Sequence, residues 1–143
     1  GGVRAVEGIT ELPVLSYSGL RLGRCVQRKA LTITGSSAGE ACALLDRAHA
    51  AGVGAVVLLT HCHEFVKGDM RGSLAPDRVN QRRVQAVCSH LQRHASRFEV
   101  TTMDRMVGLA QGAASVADPL LAAPLHHALA RLVQNKLNEL NLV

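Results

Sequence analysis

A short, continuous apolar run, GAVVLLT at residues 54–60, constrains the fold more than any other stretch of the chain. It is rich in β-branched residues, lacks the alternation of a half-exposed strand and is too short for an ordinary helix, which predicts a strand buried on both faces. Such strands occur almost only where helices cover both sides of a parallel sheet. The run therefore favours an α/β fold.

Helical signals begin shortly before this strand. Residues 31–34 predict a first strand, and Ser37 with Glu40 three residues later has the form of a capping box that opens a helix. Apolar residues then recur at helical spacing until Gly52, which is placed to end the element. A strand and a helix are therefore expected immediately before the apolar run.

The pattern continues after it with a loop at residues 61–76. Asp77 is placed to cap a second helix, residues 98–101 predict a third strand, and Thr101 with Asp104 repeats the capping signal for a third helix. The apolar stripe expected on the second helix is Val84, Val87, Cys88 and Leu91.

The order of these elements calls for parallel strands joined by helical crossovers. Either an open doubly wound sheet or a slice of a β/α barrel satisfies that order. Beyond a turn at Asp118 and Pro119, residues 119–143 predict a last amphipathic helix. Its apolar positions are Leu125, Leu129, Leu132 and Leu140.

The first thirty residues are the least regular. They predict a short extended segment around Pro13, followed by an Arg-rich loop, GLRLGRCVQRK. The four cysteines are widely spaced with no CxxC pair, so we expect free, buried thiols, with Cys42 and Cys88 on apolar helix faces and Cys62 packed.

Composition excludes several kinds of partner. The net charge is +5, but Tyr17, Phe65 and Phe98 are the only aromatic residues. Single-stranded nucleic-acid surfaces and exposed sugar-binding platforms normally need aromatic stacking faces, so both are disfavoured and no nucleic-acid partner is expected. No uncharged apolar run approaches the roughly 18 residues that span a bilayer, so no membrane span is expected.

The chemistry-bearing residues follow the apolar run directly, in the sequence THCHEF. In α/β proteins the functional site lies at the carboxyl ends of the strands, which is where His61 falls. If strand geometry persists, His61 and His63 point to one side, with Cys62 and Glu64 opposite. His61 is the first candidate, and His63 is a candidate metal ligand that lacks a third partner at useful spacing.

Other histidines and arginines are interpreted as solvated surface. His90 and His94 lie one helical turn apart and could clamp a metal, but arginines surround them and no carboxylate follows at a useful spacing. His126 and His127 in the last helix are interpreted in the same way. The arginines expected to be solvated are Arg78, Arg82, Arg93 and Arg97.

The stretches VVLLTHCHEF, NQRRVQAVCSHLQRHASRF and FEVTTMDRM together resemble the C-terminal part of polysaccharide deacetylases, the NodB-homology carbohydrate esterases. In that family one of the last barrel strands ends in a Leu-x-His motif, after which a helix, a strand and a helix close the barrel. Leu59, Thr60 and His61 match the motif, and the earlier ELPV resembles a segment of some members. The resemblance covers residues 9–110.

This resemblance implies a partial β/α barrel, the C-terminal portion of a deacetylase-like domain, spanning residues 1–118. It implies a metal-dependent hydrolase that removes acetyl groups from a glycan, with zinc as the first expectation for the divalent metal. His61 would be the general acid that protonates the leaving amine, and Leu59 would help form the apolar pocket for the acetyl methyl group.

The chain departs from the family in one respect. The family's metal ligands come from an early Asp-Asp motif and a later His-x-x-x-His motif. The sequence contains no Asp-Asp pair, and His90 with His94, the one pair at the second spacing, lies downstream of the Leu-x-His position. We therefore expect no metal on this chain alone, and a missing N-terminal part of the same barrel as its partner. A degenerate, non-catalytic relative is the other account.

Two further functions stay open. THCHE also resembles the Thr-His-x-His-x-Asp-His motif of metallo-β-lactamase-like hydrolases, which would use His61 and His63 for zinc. The Asp and His of that motif are replaced here by Phe65 and Val66. The alternative without catalysis is an α/β interaction module whose polar loop binds a partner.

Overall fold

The chain folds into a mixture of helices and short strands. The computed structural model describes residues 4–68, 72–110 and 121–140. Four α-helices lie in this part of the chain: α1 (Ala38–Ala50), α2 (Arg78–Arg93), α3 (Met103–Ala110) and α4 (Leu125–Glu139). The strands there are β1 (Arg4–Val6), β2 (Ile9–Glu11), β3 (Ser16–Leu22), β4 (Cys25–Ala30), β5 (Val66–Gly68), β6 (Leu74–Pro76) and β7 (Leu121–Ala122). None of the described helices is long and apolar enough to cross a lipid bilayer.

The N-terminal region is more regular than the sequence predicted. β1 pairs with β2, and β3 pairs antiparallel with β4, while β7 adds to the other side of β3 in parallel. The predicted Arg-rich loop is therefore wrong, because its residues form the β3–β4 hairpin. Leu22 lies opposite Cys25, and Gly23 in the turn between them has a φ of 58°. Glycine adopts this left-handed conformation without strain, so the two-residue turn closes.

The apolar run at residues 54–60 lies beside two other segments of the chain. Val57 forms a parallel bridge with Val14, and Leu59 forms a parallel bridge with Thr32. The predicted strands that contain Thr32 and Leu59 thus run side by side in the expected direction. They are joined by isolated bridges, with no continuous ladder between them.

The third predicted strand, residues 98–101, does not form. Phe98 is tied back to the end of α2 by a hydrogen bond from its backbone N–H to the His94 carbonyl, and Val100 is 76% exposed. A buried parallel strand needs both faces covered, and this segment has only the Phe98 ring packed against the core. The described residues form a mixed α/β fold without a closed barrel.

The beginning and end of α1 confirm the predicted capping signals. The Glu40 N–H donates to Ser37 Oγ at 3.1 Å, and the Ser37 N–H donates to Glu40 Oε2 at 2.8 Å. Gly52 follows the helix with a φ of 71°. The box pulls the Glu40 carboxylate into the protein interior, where this residue is fully buried.

The second helix is capped by Asp77 as predicted, but its inward face is more polar than expected. Val87 is buried, whereas Cys88 is exposed, so the prediction that Cys88 packs on an apolar face is wrong. His90 and Arg83 are buried instead, which corrects the interpretation of His90 as a solvated residue. Hydrogen-bond partners make the burial of Arg83 tolerable, because a buried polar group without one is costly, while His90 Nε2 lies 3.3 Å from the Asp46 carboxylate.

Arg83 joins three parts of the fold. Its guanidinium donates to the Thr34 carbonyl at 3.1 Å, to Asn80 Oδ1 at 3.2 Å and to Asn135 Oδ1 at 2.6 Å. These acceptors lie on the loop before α1, on α2 itself and on α4. A planar, multidentate donor of this kind fixes the relative positions of the segments that it contacts.

The hydrophobic core is built around α1 and the strands beneath it. Tyr17 is fully buried, and its hydroxyl lies 3.0 Å from Ser36 Oγ, which satisfies the one polar atom of the ring. The buried core cluster consists of Leu15, Tyr17, Leu31, Ala41, Leu44, Leu45, Ala48, Val87, Leu121 and Ala123.

The fourth helix docks on α1 through small and charged residues. Ala128 is fully buried, and Arg131 Nε lies 3.0 Å from Glu40 Oε2, where both side chains are almost completely buried. The predicted amphipathic helix is present, but its leucines face away from this contact. Leu125, Leu129, Leu132 and Leu140 are 44–60% exposed. The predicted boundary at residue 118 lies outside the described residues.

All four cysteines are free, but the prediction that they are buried is largely wrong. Cys42 is half-buried, and Cys25, Cys62 and Cys88 are exposed. The packed role predicted for Cys62 is corrected with them. Burial raises the pKa of the Cys42 thiol, with the Asp46 carboxylate adding to the effect.

The lowered pKa of Lys29 predicts that the stability of the protein depends on pH. Burial, with a smaller effect of Arg131, lowers the pKa of this amine to about 8 from the ordinary 10.5, while its Nζ donates to the Gly35 carbonyl. Between these values the unfolded chain binds more protons than the folded one, so stability should rise from pH 8 to pH 10. Urea denaturation should detect this rise. A Lys29→Met variant should show a smaller rise, and an equal rise in both proteins would contradict the assignment.

Candidate functional site

The candidate site forms where the two parallel-bridged segments end. Thr34 follows the segment that contains Thr32, and Thr60 follows Leu59 on the neighbouring segment. Both hydroxyl groups donate to the carboxylate of Glu64, which lies on a short 3₁₀ helix, Cys62–Phe65. The site is therefore at the carboxyl ends of parallel segments, the position at which α/β proteins place functional groups.

Glu64 is the centre of this hydrogen-bond network. Its Oε2 accepts from Thr60 Oγ1 at 2.9 Å and from the His61 N–H at 3.2 Å. Its Oε1 accepts from Thr34 Oγ1 at 3.2 Å and lies 3.4 Å from His61 Nδ1. Four contacts from three residues thus hold one carboxylate, which fixes its orientation toward the imidazole.

The electrostatic state of Glu64 follows from these contacts. Burial would by itself raise the pKa of the carboxyl, but hydrogen bonds from Thr60, from the His61 backbone and side chain and from Thr34 outweigh it. The net effect lowers the pKa of Glu64 below its ordinary value. The group is therefore a carboxylate at neutral pH and can act only as an acceptor for Nδ1.

The His61 ring is held on one side and open on the other. Its side chain is 54% exposed, while that of Glu64 is only 13% exposed. A carboxylate at Nδ1 selects the tautomer that carries a proton there, which leaves Nε2 directed away from Glu64. We call the pair of His61 and Glu64 the dyad. An imidazole in this arrangement can exchange a proton with a bound molecule through Nε2.

His63 contacts the other histidine but not the carboxylate. The His61 and His63 rings are stacked, with centroids 5.2 Å apart and planes at 24°. The expectation that strand geometry persists through residue 63 is wrong, because the 3₁₀ helix begins at Cys62 and turns Glu64 back onto His61. The His61 N–H donates to Glu64 Oε2 at 3.2 Å, which is one half of a capping box and stabilises this turn.

The loop predicted at residues 61–76 contains more structure than expected. After the 3₁₀ helix, β5 pairs antiparallel with β6, while residues 69–71 lie outside the described part. Helix α2 holds the start of the loop, because Asn80 Nδ2 donates to the Glu64 carbonyl at 2.9 Å and Gln81 Nε2 to the Phe65 carbonyl at 3.2 Å. Helix α2 therefore holds the backbone of Glu64 and Phe65 in place beside His61.

Leu59, the residue assigned to an apolar pocket, lies two positions before His61 and is 39% exposed. Its backbone N–H donates to the Leu31 carbonyl at 3.0 Å, which fixes its position on the bridged segment. The Leu59 side chain therefore exposes aliphatic surface two residues before His61 in the chain.

The site does not fit a metal ion by itself. Among the described residues, no three His, Cys, Asp or Glu side chains are placed to hold one. His61 Nδ1 is directed at Glu64, and His63 stacks on the His61 ring, so the two imidazoles do not form a pair of converging ligands. A metal would need ligands other than these residues.

The second histidine pair lies between α1 and α2. His90 Nε2 is 3.3 Å from Asp46 Oδ1, which Arg97 also contacts at 3.0 Å. His94 Nδ1 lies 2.8 Å from the His90 carbonyl, so this nitrogen is used in capping α2. These contacts join the two helices and make His90 and His94 structural residues. Arg78, Arg82, Arg93 and Arg97 are exposed, as predicted.

The sequence predicted His61 as a candidate but not its contacts with two neighbouring residues. Glu64 was expected on the side opposite His61 if strand geometry persisted, and Thr34 was not considered. The spacing of His61 and Glu64 is the same as that of Ser37 and Glu40, so a capping-box pattern was the signal for the dyad. Thr34 could be connected with Glu64 only through the parallel pairing of their segments.

Comparison of the chain with family models, with curated proteins and with solved structures found no match. The function is therefore inferred from the residues and their geometry.

Proposed function

We propose that this chain is the C-terminal portion of a deacetylase-like β/α barrel and that His61 is the general acid in the removal of acetyl groups from a glycan. The observation that carries the proposal is the hydrogen-bonded pair of Glu64 Oε1 and His61 Nδ1, 3.4 Å apart, at the end of the segment bridged to Thr32. This is the place and the geometry that a general acid at a strand end requires.

The chemistry assigned to His61 is one proton transfer. In amide hydrolysis, water adds to the carbonyl carbon, the C–N bond breaks, and the amine nitrogen must take a proton in order to leave. His61 in its doubly protonated form would supply that proton from Nε2 while its Nδ1–H stays hydrogen-bonded to Glu64, which leaves the neutral tautomer. The proton that the attacking water loses balances the one given to the amine. Glu64 is then a positioning residue, which acts on the reaction through the imidazole.

The remaining parts of the proposal concern the substrate and the metal. Leu59 would contribute aliphatic surface for the acetyl methyl group. The divalent metal that such a hydrolase uses would polarise the carbonyl, but the described residues do not fit its ligand set. The proposal therefore takes those ligands from a part of the barrel outside this chain.

The test is acetate release from an N-acetylglucosamine oligomer by the full-length polypeptide that carries this chain. Because general acid catalysis contributes roughly 10²- to 10⁴-fold, His61→Gln should lower kcat by that factor while bound metal is unchanged. His63→Gln is the matched control and should stay within about threefold, since the His63 ring stacks on His61 but is not among the hydrogen-bond partners of the Glu64 carboxylate. Full turnover by His61→Gln would overturn the proposal.

A second measurement separates the positioning role of Glu64 from a structural one. Glu64→Gln should lower kcat with little change in KM and should alter the pH profile of kcat, because the tautomer of His61 is no longer fixed. Glu64→Asp should restore part of the rate. An unchanged pH profile of kcat would mean that Glu64 has only a structural role in the loop.

Zinc titration of the isolated chain distinguishes the metallo-β-lactamase-like alternative. That alternative requires about one to two tightly bound zinc ions through His61 and His63, whereas the deacetylase proposal and an interaction module require none on this chain. Stoichiometric zinc binding that is lost in His63→Gln would favour the alternative.

A further inference from the structure

The β3–β4 hairpin presents a basic face that the proposed reaction does not use. Ser18 lies opposite Arg28 and Arg21 lies opposite Val26, on the two sides of a bulge in β3. Residues that face each other across an antiparallel pair share one side of the sheet. Arg21, Val26 and Arg28 therefore share one face of the hairpin with Ser18, while Tyr17 and Lys29 share the other. The first face is open at the two arginines and covered at Ser18, which is only 8% exposed.

The arginines on this hairpin are available to a partner. Arg21, Arg24 and Arg28 are all exposed, and none forms an ion pair within the described parts of the chain. The closest contact is internal, from Arg21 Nε to the Gly23 carbonyl at 3.4 Å.

No acidic residue occurs between Glu11 and Glu40, so the hairpin carries uncompensated positive charge. β4 is also the edge strand of its sheet, which leaves one side of the hairpin open. The positive charge therefore lies on an accessible, protruding element.

The hairpin leads directly to the candidate site. β4 continues through residues 31–33 to Thr34, which donates to Glu64. Arg28 precedes Thr34 by six residues, a separation of at most about 20 Å at the rise of an extended chain. A linear molecule of several sugar units could therefore contact the hairpin and the dyad together.

We propose that Arg21, Arg24 and Arg28 on the β3–β4 hairpin bind the carboxylates of an acidic polysaccharide, so that the glycan acted on at His61 is anionic. The identification of the polymer as a substrate rests on the proposed function, whereas its binding to the hairpin does not. Guanidinium groups suit this partner because their planar donors bind carboxylates in a bidentate manner.

Other polyanions fit these observations less well. Single-stranded nucleic acid needs exposed aromatic rings, and the one aromatic side chain of the hairpin, Tyr17, is fully buried. The same burial rules out stacking of sugar rings on the hairpin, so the polysaccharide is bound here through its carboxylates. Double-stranded DNA binders usually make roughly six to ten phosphate contacts, more than three arginines provide. A lipid surface would also require apolar anchors, and Val26 alone lies between the arginines on this face.

The experiment measures binding of the chain to polygalacturonate by calorimetry at low and at physiological salt. The double variant Arg21→Gln with Arg28→Gln should bind at least about tenfold more weakly and with a smaller salt dependence. The matched control, Arg78→Gln with Arg82→Gln on the exposed side of α2, loses the same charge and should stay within about twofold. Circular dichroism should show all three proteins folded, since the four positions are exposed.

The outcomes separate this inference from the proposed reaction, because binding needs no turnover. Selective loss of binding in the hairpin variant supports it. Equal losses in both double variants would assign the binding to net charge, and absence of binding to polygalacturonate would also overturn the inference. Tighter binding to double-stranded DNA or to phosphatidylserine vesicles than to polygalacturonate would overturn the choice of partner.

Discussion

Arg131→Met should destabilise the protein by about 3–5 kcal/mol. The substitution keeps much of the side-chain volume but leaves the Glu40 carboxylate, which is fully buried, without the guanidinium 3.0 Å away. The Arg131 N–H is poorly aligned on that oxygen, so the contact is an ion pair more than a hydrogen bond. An unpaired buried charge is the costly state, and urea denaturation at pH 7 should measure its effect on the free energy of unfolding.

The double variant Glu40→Gln with Arg131→Met gives the decisive comparison. The amide oxygen of the introduced glutamine can still accept from the Ser37 N–H, so the capping box is kept while the buried charge is removed. The double variant should therefore be more stable than Arg131→Met alone. Arg105→Met is the control, because its ion pair with Glu99 is exposed and worth at most about 1 kcal/mol. Equal costs for Arg131→Met and Arg105→Met would mean that the Glu40 pair is solvated.

Leu44→Ala should destabilise the protein by about 2–5 kcal/mol. Leu44 lies on α1 at the centre of the core cluster and is fully buried, so truncation removes buried apolar surface and leaves a cavity. The change in unfolding free energy can be measured by urea denaturation, with the slope of the transition as a check that the mechanism of unfolding is unchanged.

The same substitution on α4 is its matched control. Leu129 is 50% exposed and also lies in a helix, so Leu129→Ala makes the same change in helix propensity with little loss of packing. It should cost less than about 0.5 kcal/mol. A large cost at Leu129 would mean that the leucine face of α4 is covered, and a small cost at Leu44 would contradict the assignment of the core.

Local signals in the sequence predicted the helices well. Ser37 with Glu40 and Asp77 mark the helix starts that the structure confirms, because capping depends on residues within one turn. The direction in which a helix faces was harder to predict. The leucines of α4 point outward because its docking depends on Arg131 and Glu40, which are far apart in sequence.

Strands were predicted less well for the same reason. The apolar run containing Val57 and Leu59 was predicted as a parallel strand buried on both faces. It is parallel to its neighbours, but its pairing is limited to isolated bridges, residues 55–58 are only half-buried and Leu59 is 39% exposed. The β3–β4 hairpin was missed because arginines on an open face resemble a loop in sequence. Phe98 is of a residue type that is common in strands, yet its segment forms no strand pairing and its ring packs against the core.

The candidate site shows how far such reasoning reaches. His61 was predicted as a candidate from its position after an apolar run, which is a property of one segment. The contact between Thr34 and Glu64 joins two segments that come together only in the folded chain. A functional network of this kind can be anticipated from one sequence only when the pairing of strands is known.

The contact between Glu40 and Arg131 also bears on the order in which the chain folds. The capping box of α1 closes over three residues, so it can form early, whereas Arg131 reaches Glu40 only after most of the chain has been arranged. Until α4 docks, the Glu40 carboxylate remains hydrated. We therefore expect the loss of that water to accompany the docking of α4, and opening of α4 to return water to this part of the interior.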